Sequence, residues 1–538
     1  MMKTDTIPVW KEYGYAPRQS QAPKETLETL IVGGGPIGLA LALDLGRKGR
    51  RVVVINALPF IPRGSKAICF SKRSLEIYDR LGVGERLLNK GVVWEKGKVF
   101  WKGGANPIYE FDLLPVKDQK FPAFINIQQY YVEEYLIDEI AKCDNIEIRW
   151  RHEAVGVTPR PDGVLVDVET PDGRYRIETS YLLACDGNKS PVRTMLGLDF
   201  IGRVFEDNFL IADVKFKQER PAERWFHFDP PWPGASSLIH KQPDGVWRLD
   251  FQLGWNIDRK EAAKPENVEP FVRGMLGPDV EFEFEWLSVY TFQCRRMERF
   301  IHDRVIFAGD SAHLVSPFGA RGCNGGMQDI DNLAWKLDRV LAGKSPASLL
   351  ETYNDEAITV ADVNILNSTR STDFMTPKTK TASVFRDAVL ELARDHEFAR
   401  PYVNSGRLSQ AVPYSGSALS TDDADSFAAG PAPGASGIDA PIEGGDGWLL
   451  SALGEEFALL CFSDDAHEAG ALQRAAGNRV KVVRVGSRND LAWRRYGATG
   501  GEAYLMRPDQ HVAARWARPN LSAIRSALDR AQGLGGRA

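Results

Sequence analysis

Residues 26–55 read TLETLIVGGGPIGLALALDLGRKGRRVVVI, and the fold of the chain is read outward from them. A short apolar run at 26–32 leads into glycines, and residues 39–45 are Leu and Ala with one Asp. A β-branched run follows at 51–55. Short β-branched runs suit buried parallel strands, and the Leu/Ala stretch suits a buried helix that ends near Gly46 and Gly49. The segment is therefore a βαβ unit, with Gly33-x-Gly35-x-x-Gly38 at its first turn. The first glycine permits the tight turn, the second lets backbone approach a pyrophosphate, and the third lets helix and strand pack closely. Phosphates would meet the positive end of the helix. Gly33, Gly35, Pro36, Ile37 and Gly38 are the expected dinucleotide-binding turn, against the competing reading of a merely structural Gly-rich turn. The second strand ends at Asn56, where an acidic residue commonly holds the ribose. Asn56 is still expected to contact it, without charge-assisted strength.

Bulk properties narrow the rest. A chain of 538 residues exceeds a single hydrophobic core, so two or three domains are expected. The net charge of -5 and the absence of a long basic run give no reason to expect nucleic acid. No apolar stretch approaches the roughly 20 residues that span a bilayer. The polar N-terminal residues 1–21 lack the apolar core of a signal peptide, so a cytoplasmic location is expected. The cysteines form no CxxC pair and the histidines no HxxxH, so neither a metal site nor a disulfide framework is expected.

Further along, 74–88 and 131–140 have helical spacing, and 146–183 alternates strands with tight turns. Residues 209–290 are rich in alternating aromatics, expected to form a mixed sheet. Residues 304–308 (RVIFA) read as a buried strand and 327–341 as an amphipathic helix. Residues 415–447 are crowded with Gly, Ala, Pro, Ser and Asp and read as a linker. The acidic cluster Asp422, Asp423 and Asp425 reads as solvated linker. The predicted division is an N-terminal arm (1–25), a main domain (26–414) carrying a lobe at about 91–125 and 200–300, the linker (415–447) and a small αβ domain (448–538).

Two further segments decide the function class. Residues 181–193 read YLLACDGNKSPVR, and 304–337 read RVIFAGDSAHLVSPFGARGCNGGMQDIDNLAWKL. With the first glycine motif, their order and spacing resemble the single-component FAD-dependent aromatic hydroxylases, the group of para-hydroxybenzoate, phenol and 3-(3-hydroxyphenyl)propionate hydroxylases. The resemblance covers roughly 26–356. It implies an α/β fold: a Rossmann-like FAD-binding domain with an inserted mixed-sheet substrate lobe and a C-terminal thioredoxin-like domain. It also implies that Gly309 and Asp310 hold the ribityl chain of FAD, that the loop 317–326 lies beside the isoalloxazine ring with Gly322, Cys323 and Asn324 as cofactor contacts, and that the helix after the loop points its N-terminus at the flavin. Asp186 and Gly187 resemble the segment that contacts FAD and the nicotinamide, anchored by Arg193. Gln129 resembles a flavin-contacting glutamine, and Lys66 stands where an arginine is common. Ile68 occupies the place of phenol hydroxylase's active-site carboxylate, so that acid does not carry over. The stretches 448–461 and 503–516 resemble the thioredoxin-like appendage of phenol hydroxylase-type members; with Cys461 alone it is expected to serve packing or dimer contact.

The activity implied is hydroxylation of a phenolic or other activated aromatic substrate with NADH or NADPH and dioxygen, through a flavin C4a-hydroperoxide, in aromatic catabolism, by a homodimer. Candidate substrate contacts are His227, His240, Arg248, Tyr290, Gln293 and Pro317, each weighed against a structural role, with Trp225, Phe226, Phe228 and Trp247 as pocket walls. His313 reads as structural. Asp329 and Asp331 are expected to serve the dipole of the helix at 327–341. Alternatives left open are the same chemistry at a substituted carbon with loss of nitrite or halide, an aromatic polyketide substrate, a same-fold reductase or dehydrogenase, and a non-catalytic flavin-binding protein.

Overall fold

The computed structural model describes residues 8–17, 24–64, 66–112, 117–254, 257–403, 409–444 and 446–535, with the side chains of 205–207 and 475–476 excluded. Its first sheet is built on the βαβ unit. Strand Lys24–Val32 pairs in parallel with Val52–Asn56 on one side and Gly173–Ala184 on the other. Ile146–Trp150 extends the parallel set outward from Val52–Asn56, and Val305–Phe307 joins the far end of Gly173–Ala184. The first half of that long strand instead carries the antiparallel Gly163–Thr170 and Glu153–Arg160. The parallel strands therefore end along one edge, at Asn56, Val32, Ala184 and Phe307. The strand order reverses between Lys24–Val32 and Gly173–Ala184, and such a switch point leaves a crevice at the strand ends.

Helix Pro36–Arg47 is buried almost all round, as its Leu/Ala sequence requires. Pro at its first turn costs no hydrogen bond, and Gly49, at φ 82°, ends it. The periodic stretch 74–88 is two helices, Lys72–Arg80 and Gly84–Lys90, because Gly82 adopts φ 84° between them. The N-terminal residues are not a free arm: Val9–Glu12 pairs with Phe60–Pro62, and Trp10 stacks on Tyr130 at 4.3 Å.

The lobe is an eight-stranded sheet in the order His313–Leu314, Phe282–Met297, Phe200–Phe216, Val246–Gly254, Ser236–Lys241, Arg224–Phe228, Lys96–Trp101, Tyr109–Asp112. Side chains alternate between its faces. One face carries Leu210, Val214, Ile239, Trp247, Leu249 and Phe251, buried beneath Val268, Val272 and Met275 of helix Pro265–Leu276. Burial of each such side chain contributes about 1.5–3 kcal/mol, so this face is core. The other face turns toward the first domain. Helices Glu351–Met375 and Lys380–Asp395, unread in the sequence, bring Met375 and Leu390 against its far end.

The C-terminal sheet runs Lys481–Val485, Ala458–Phe462, Ala503–Met506, Val512–Trp516. The first two are parallel and the last two an antiparallel hairpin, with helices Ala466–Ala476, Asp490–Tyr496 and Leu521–Ala531, which is a thioredoxin-like arrangement. Cys461 is buried in its strand. The stretch expected as linker is, where described, a strap bound to this sheet. Thr421 N–H donates to Ala513 O at 2.8 Å, Gly434 N–H to Val512 O at 2.7 Å, and Tyr414 stacks on His511 at 4.2 Å. Its acidic residues are not simply solvated: Asp423 pairs with Arg515 at 2.6 Å, and Asp425 accepts from Ala517 N–H at 2.9 Å. A strap rich in small residues lies flat on a strand edge, which is why its composition mimics a tether.

Candidate flavin and ring-binding site

Three segments leave the ends of adjacent parallel strands together. Gly33 turns at φ 111°, and a Cβ there would lie 2.4 Å from Cys185 O. A Cβ on Gly38 would lie 2.0 Å from Gly33 O, so the third glycine is required for helix–strand contact. Gly35 has nothing within 4 Å of its would-be Cβ, and it caps the helix without any side-chain cap or acidic first-turn residue. The turn is thus crowded where backbone meets backbone and open where a phosphate would approach. Asn56 Oδ1 accepts from Gly34 N–H at 3.0 Å and its amide donates to Leu58 O at 2.9 Å. The side chain expected at the ribose therefore also braces the glycine turn.

Beside it, Asp186 Oδ2 accepts from Val192 N–H at 3.0 Å, while Oδ1 is buried with no partner. Burial pushes this carboxyl up. Arg193 donates to Ser311 O at 2.9 Å and Asn188 O at 2.8 Å, tying the Asp186–Gly187 turn to the third segment. There Gly309, at φ 65°, packs on Ile37, and its N–H donates to Asp329 Oδ2 at 2.9 Å. The same oxygen meets His313 Nε2 at 2.6 Å. Burial disfavours the charged His313 ring, but the adjacent Asp329 carboxylate outweighs it and raises the pKa. His313 is thereby held against Asp329.

Asp310 follows at the crevice. Solvent reaches its side chain, yet the enclosing protein pushes the carboxyl up, opposed by the charges of His313 and Lys66. Lys66 is exposed and near enough to act on both Asp310 and Glu133. Gln129 holds this side together: its Oε1 accepts from Ala67 N–H at 3.1 Å and its amide donates to Glu133 at 2.8 Å. Glu133 is pushed up to about 7 by burial, against the Gln129 hydrogen bond and the Lys66 charge.

The helix after the loop is Gly322–Leu341, starting five residues before the expected 327. Gly326 explains the difference, because a Cβ there would lie 2.7 Å from Ile37. Glycines that lower helix propensity are needed here for helix–helix approach. With this start, Asp329 and Asp331 lie beyond the first turn and do not serve its dipole. Asp329 holds His313 and Gly309, and Asp331 pairs with buried Arg73 at 2.8 Å. The helix opens with no side-chain cap and no acidic residue, and Gly322 and Cys323 lie beside Asp310. Asn324 is different. Its oxygen accepts from Ser71 N–H at 2.9 Å and Ser74 Oγ at 2.7 Å, and its amide donates to Cys69 O at 2.9 Å and to Ala320 O at 2.5 Å. That side chain is spent on positioning the loop, which leaves only the backbone of Asn324 for the expected cofactor contact.

The lobe face turned to this crevice carries one cross-strand row: Arg224 beside His240, His240 beside Arg248, Arg248 beside Asp213, Asp213 beside Trp286. Arg248 makes two 2.8 Å bonds to Asp213 and reaches Lys66 O at 3.5 Å. His240 lies 3.8 Å from the Cys69 thiol and 3.4 Å from Asp250, and burial pushes its pKa down to about 4. Phe226, Phe228, Leu238, Phe209, Tyr290 and Phe292 continue the face, and Phe318 of the loop packs edge-on to Phe209 at 5.0 Å and Phe292 at 5.7 Å. Pro317 is exposed at the loop's crest.

His227 is on the wrong face. It stacks on Phe100 at 4.7 Å and meets Trp232 at 5.0 Å, away from the crevice. Trp225 and Trp247 belong to that covered face too. Gln293 alternates with Phe292 and so points opposite to it. These four are corrected as pocket residues. Sequence reading missed Arg224 and Asp213. In RWFHF (224–228) both faces carry aromatics, and only the cation among them hinted at the site.

Residues 26–368 match the family model described as FAD binding domain. The chain belongs to that family. Residues 431–534 match the model for the aromatic-ring hydroxylase C-terminal domain, which begins inside the stretch expected as linker. This FAD-binding-domain protein is 29% identical over 380 residues to a 3-(3-hydroxy-phenyl)propionate/3-hydroxycinnamic acid hydroxylase of Comamonas testosteroni, covering 70% of this chain and 63% of that relative. The chain thus spans less than two thirds of that relative's length. It is 30% identical to a 12-dehydrotetracycline 5-monooxygenase/anhydrotetracycline 6-monooxygenase of Streptomyces rimosus, covering 68% of this chain and 73% of the relative. Its fold resembles that of the flavin-dependent monooxygenase PieE, solved with FAD and substrate, at TM-score 0.80, with 21% identity over 96% of this chain and all (100%) of the other. No helix among the described residues is long and apolar enough to cross a membrane.

Proposed function

We propose that this flavoprotein is a monooxygenase that uses FAD, a reduced nicotinamide (NADH or NADPH) and dioxygen to hydroxylate a phenolic or other activated aromatic ring. The observation that carries the reading is the loop at 317–322, which joins the two halves of the crevice. Its Phe318 packs into the aromatic lobe face, and Gly322 opens the uncapped helix beside Asp310.

The fit to FAD rests on this chain's own vacant valences. The open approach at Gly35 and the uncapped helix Pro36–Arg47 suit a pyrophosphate. The partnerless oxygen of Asp186 and the solvent-reachable carboxylate of Asp310 suit polyol hydroxyls. Asn56 would meet the ribose with the lone pair that Gly34 leaves, and Lys66 and Gln129 would flank the cofactor opposite Asp310. Gly309 and Gly187 supply the turns that bring these groups together. Bound FAD supplies hydride acceptance and dioxygen activation.

The protein's share is to hold the ring, exclude water and set charge. The first turn of Gly322–Leu341 directs a positive dipole end into the crevice and would stabilise negative charge there. Phe209, Phe226, Leu238, Phe292 and Phe318 provide an apolar wall that keeps water from the reacting centre. His240 stays uncharged at neutral pH and so can accept a hydrogen bond from a substrate hydroxyl. The Arg248–Asp213 pair and Tyr290 would flank the ring.

The relatives named above act, by their names, on phenylpropanoid acids and on tetracycline-type rings, which supports a ring substrate and leaves its size open. The test is NAD(P)H oxidation and oxygen uptake by the purified flavoprotein across a panel of phenols, with mass spectrometry of the products. Acceleration by one compound that gains a single oxygen is the expected result. Bound flavin with no ring compound gaining oxygen would point to a reductase or dehydrogenase of the same fold.

A further inference from the structure

Arg224 is a buried cation without a counter-ion. Only 4% of it is exposed. Its Nη1 reaches the Cys69 thiol at 3.8 Å, a weak acceptor, and its Nε is buried with no acceptor at all. Other buried arginines are answered by oxygen acceptors: Arg248 by Asp213, Arg73 by Asp331 and Glu76, Arg507 by Glu356 and Asp509, Arg193 by the carbonyls of Ser311 and Asn188, and Arg321 by Asn364. Among the described residues no carboxylate stands within ion-pair distance of Arg224. The charged and titratable groups around it are otherwise engaged: Asp213 is committed to Arg248, and Asp250 faces the neutral His240 at 3.4 Å. The aromatic faces of Phe226 and Trp94, 5.2 and 5.7 Å from the guanidinium carbon, offset only part of the lost hydration. An unpaired buried charge is strongly unfavourable, so a fold that keeps one holds it for something that arrives.

The location says what arrives. Arg224 sits in the row that faces the crevice, beside Cys69 of strand Cys69–Ser71. Ile68, Cys69, Trp94 and Phe124 form one cluster, and Ala320 of the 317–322 loop packs against it. A ring held between that loop and the lobe sheet would have its edge at this cation.

We propose that Arg224 is a specificity-determining residue that pairs with a carboxylate on the aromatic substrate, so that the protein selects ring acids over neutral phenols. The inference rests on the lobe face being the substrate pocket. A guanidinium suits the role because its planar donors match a carboxylate two to two.

The test titrates purified holoprotein with hydroxybenzoates and hydroxyphenylalkanoates, 3-(3-hydroxyphenyl)propionate among them, and with the carboxamide of each. Binding is followed by the change in flavin absorbance. At least one acid is expected to bind wild type about tenfold or more tightly than its amide, the scale of one charge-assisted hydrogen bond. Arg224→Met should erase that preference while keeping FAD and raising Tm, because it removes an unpaired charge; Arg224→Lys should retain part of the preference. If no acid outbinds its amide in wild type, or if Arg224→Met keeps the preference, the proposal is overturned. A fall in Tm in both variants would also overturn it, by making the residue structural. A preference for NADPH over NADH that vanishes in Arg224→Met, with acid binding untouched, would assign the cation to the nucleotide phosphate instead. Tight acid binding without oxygen transfer would leave this inference standing and remove the monooxygenase reading. Oxygen transfer to neutral phenols without acid preference would do the reverse.

Discussion

At the ends of the parallel strands the groups that converge are backbone: the Gly33 turn, the bare first turns of two helices, and two carboxylates that follow glycines of positive φ or precede one. In the lobe sheet the converging groups are side chains, aligned in one row from five strands that lie far apart in the chain. The first arrangement fails when a single methyl group is added. The second loses stability when its covered face is truncated and loses its row of polar groups when its open face is changed. The difference teaches where tolerance ends in this protein: contiguous backbone makes the proposed seat of the cofactor, and cross-strand register makes the proposed seat of the ring.

The largest effect is expected at Gly38→Ala. Its Cβ would meet Gly33 O at 2.0 Å, and neither backbone can move away without opening the turn. Loss of about 3 kcal/mol or more and failure to retain FAD are expected, read by thermal unfolding and by the visible flavin spectrum. Gly35→Ala sharpens the point, since nothing lies within 4 Å of the new methyl. That variant should melt like wild type yet bind FAD more weakly; equal FAD affinity would break the assignment of the cradle.

In the lobe, Arg248→Met leaves Asp213 buried and unpaired. A destabilisation of about 3–5 kcal/mol in denaturant unfolding is expected. The double variant Arg248→Met/Asp213→Leu should recover most of it while ring binding stays impaired. Recovery of ring binding in the double variant would mean the row is only structural.

Glu133 gives a pH-dependent effect of opposite sign to an ordinary ion pair. Its pKa rises from 4.5 to about 7, so the folded state binds the proton more tightly than the unfolded chain does. The stabilisation is full below pH 4.5, declines as pH rises, and is gone above about 7, a change on the order of 3 kcal/mol. Glu133→Gln keeps the hydrogen bond from Gln129 and should remove this slope, so that the variant gains on wild type between pH 5 and 8 in melting experiments. Parallel curves would show that Glu133 is ionised throughout.

The smallest effect is expected at His227→Phe. The ring stacks on Phe100 on the covered face, and its pKa is pushed down to about 4 by burial, so it is neutral already. kcat/KM should change by less than about twofold, as for substitutions removed from the reacting centre. A larger loss would bring the covered face into the site.

The cradle was legible because its signals are local. Gly33, Gly35 and Gly38 fix a turn within one βαβ unit, and Asp186, Gly309 and Asp310 each follow a buried strand whose apolar run is visible in the sequence. What the sequence by itself determined, then, is the parallel sheet, the strand ends, the glycine turns at those ends and the αβ alternation of the C-terminal elements, since each depends on neighbours a few residues away. Tertiary structure alone decided which lobe residues face the crevice. RWFHF offers aromatics to both faces, so periodicity cannot say that Phe226 looks inward at the crevice and His227 toward Phe100 and Trp232 on the other face. It also decided that Asn324 is consumed by Ser71, Ser74 and Cys69, that Asp329 serves His313 rather than a dipole, and that a Gly- and Asp-rich strap lies tied to a strand. In each case the partner lies tens to hundreds of residues away, and only packing brings the two within hydrogen-bonding distance.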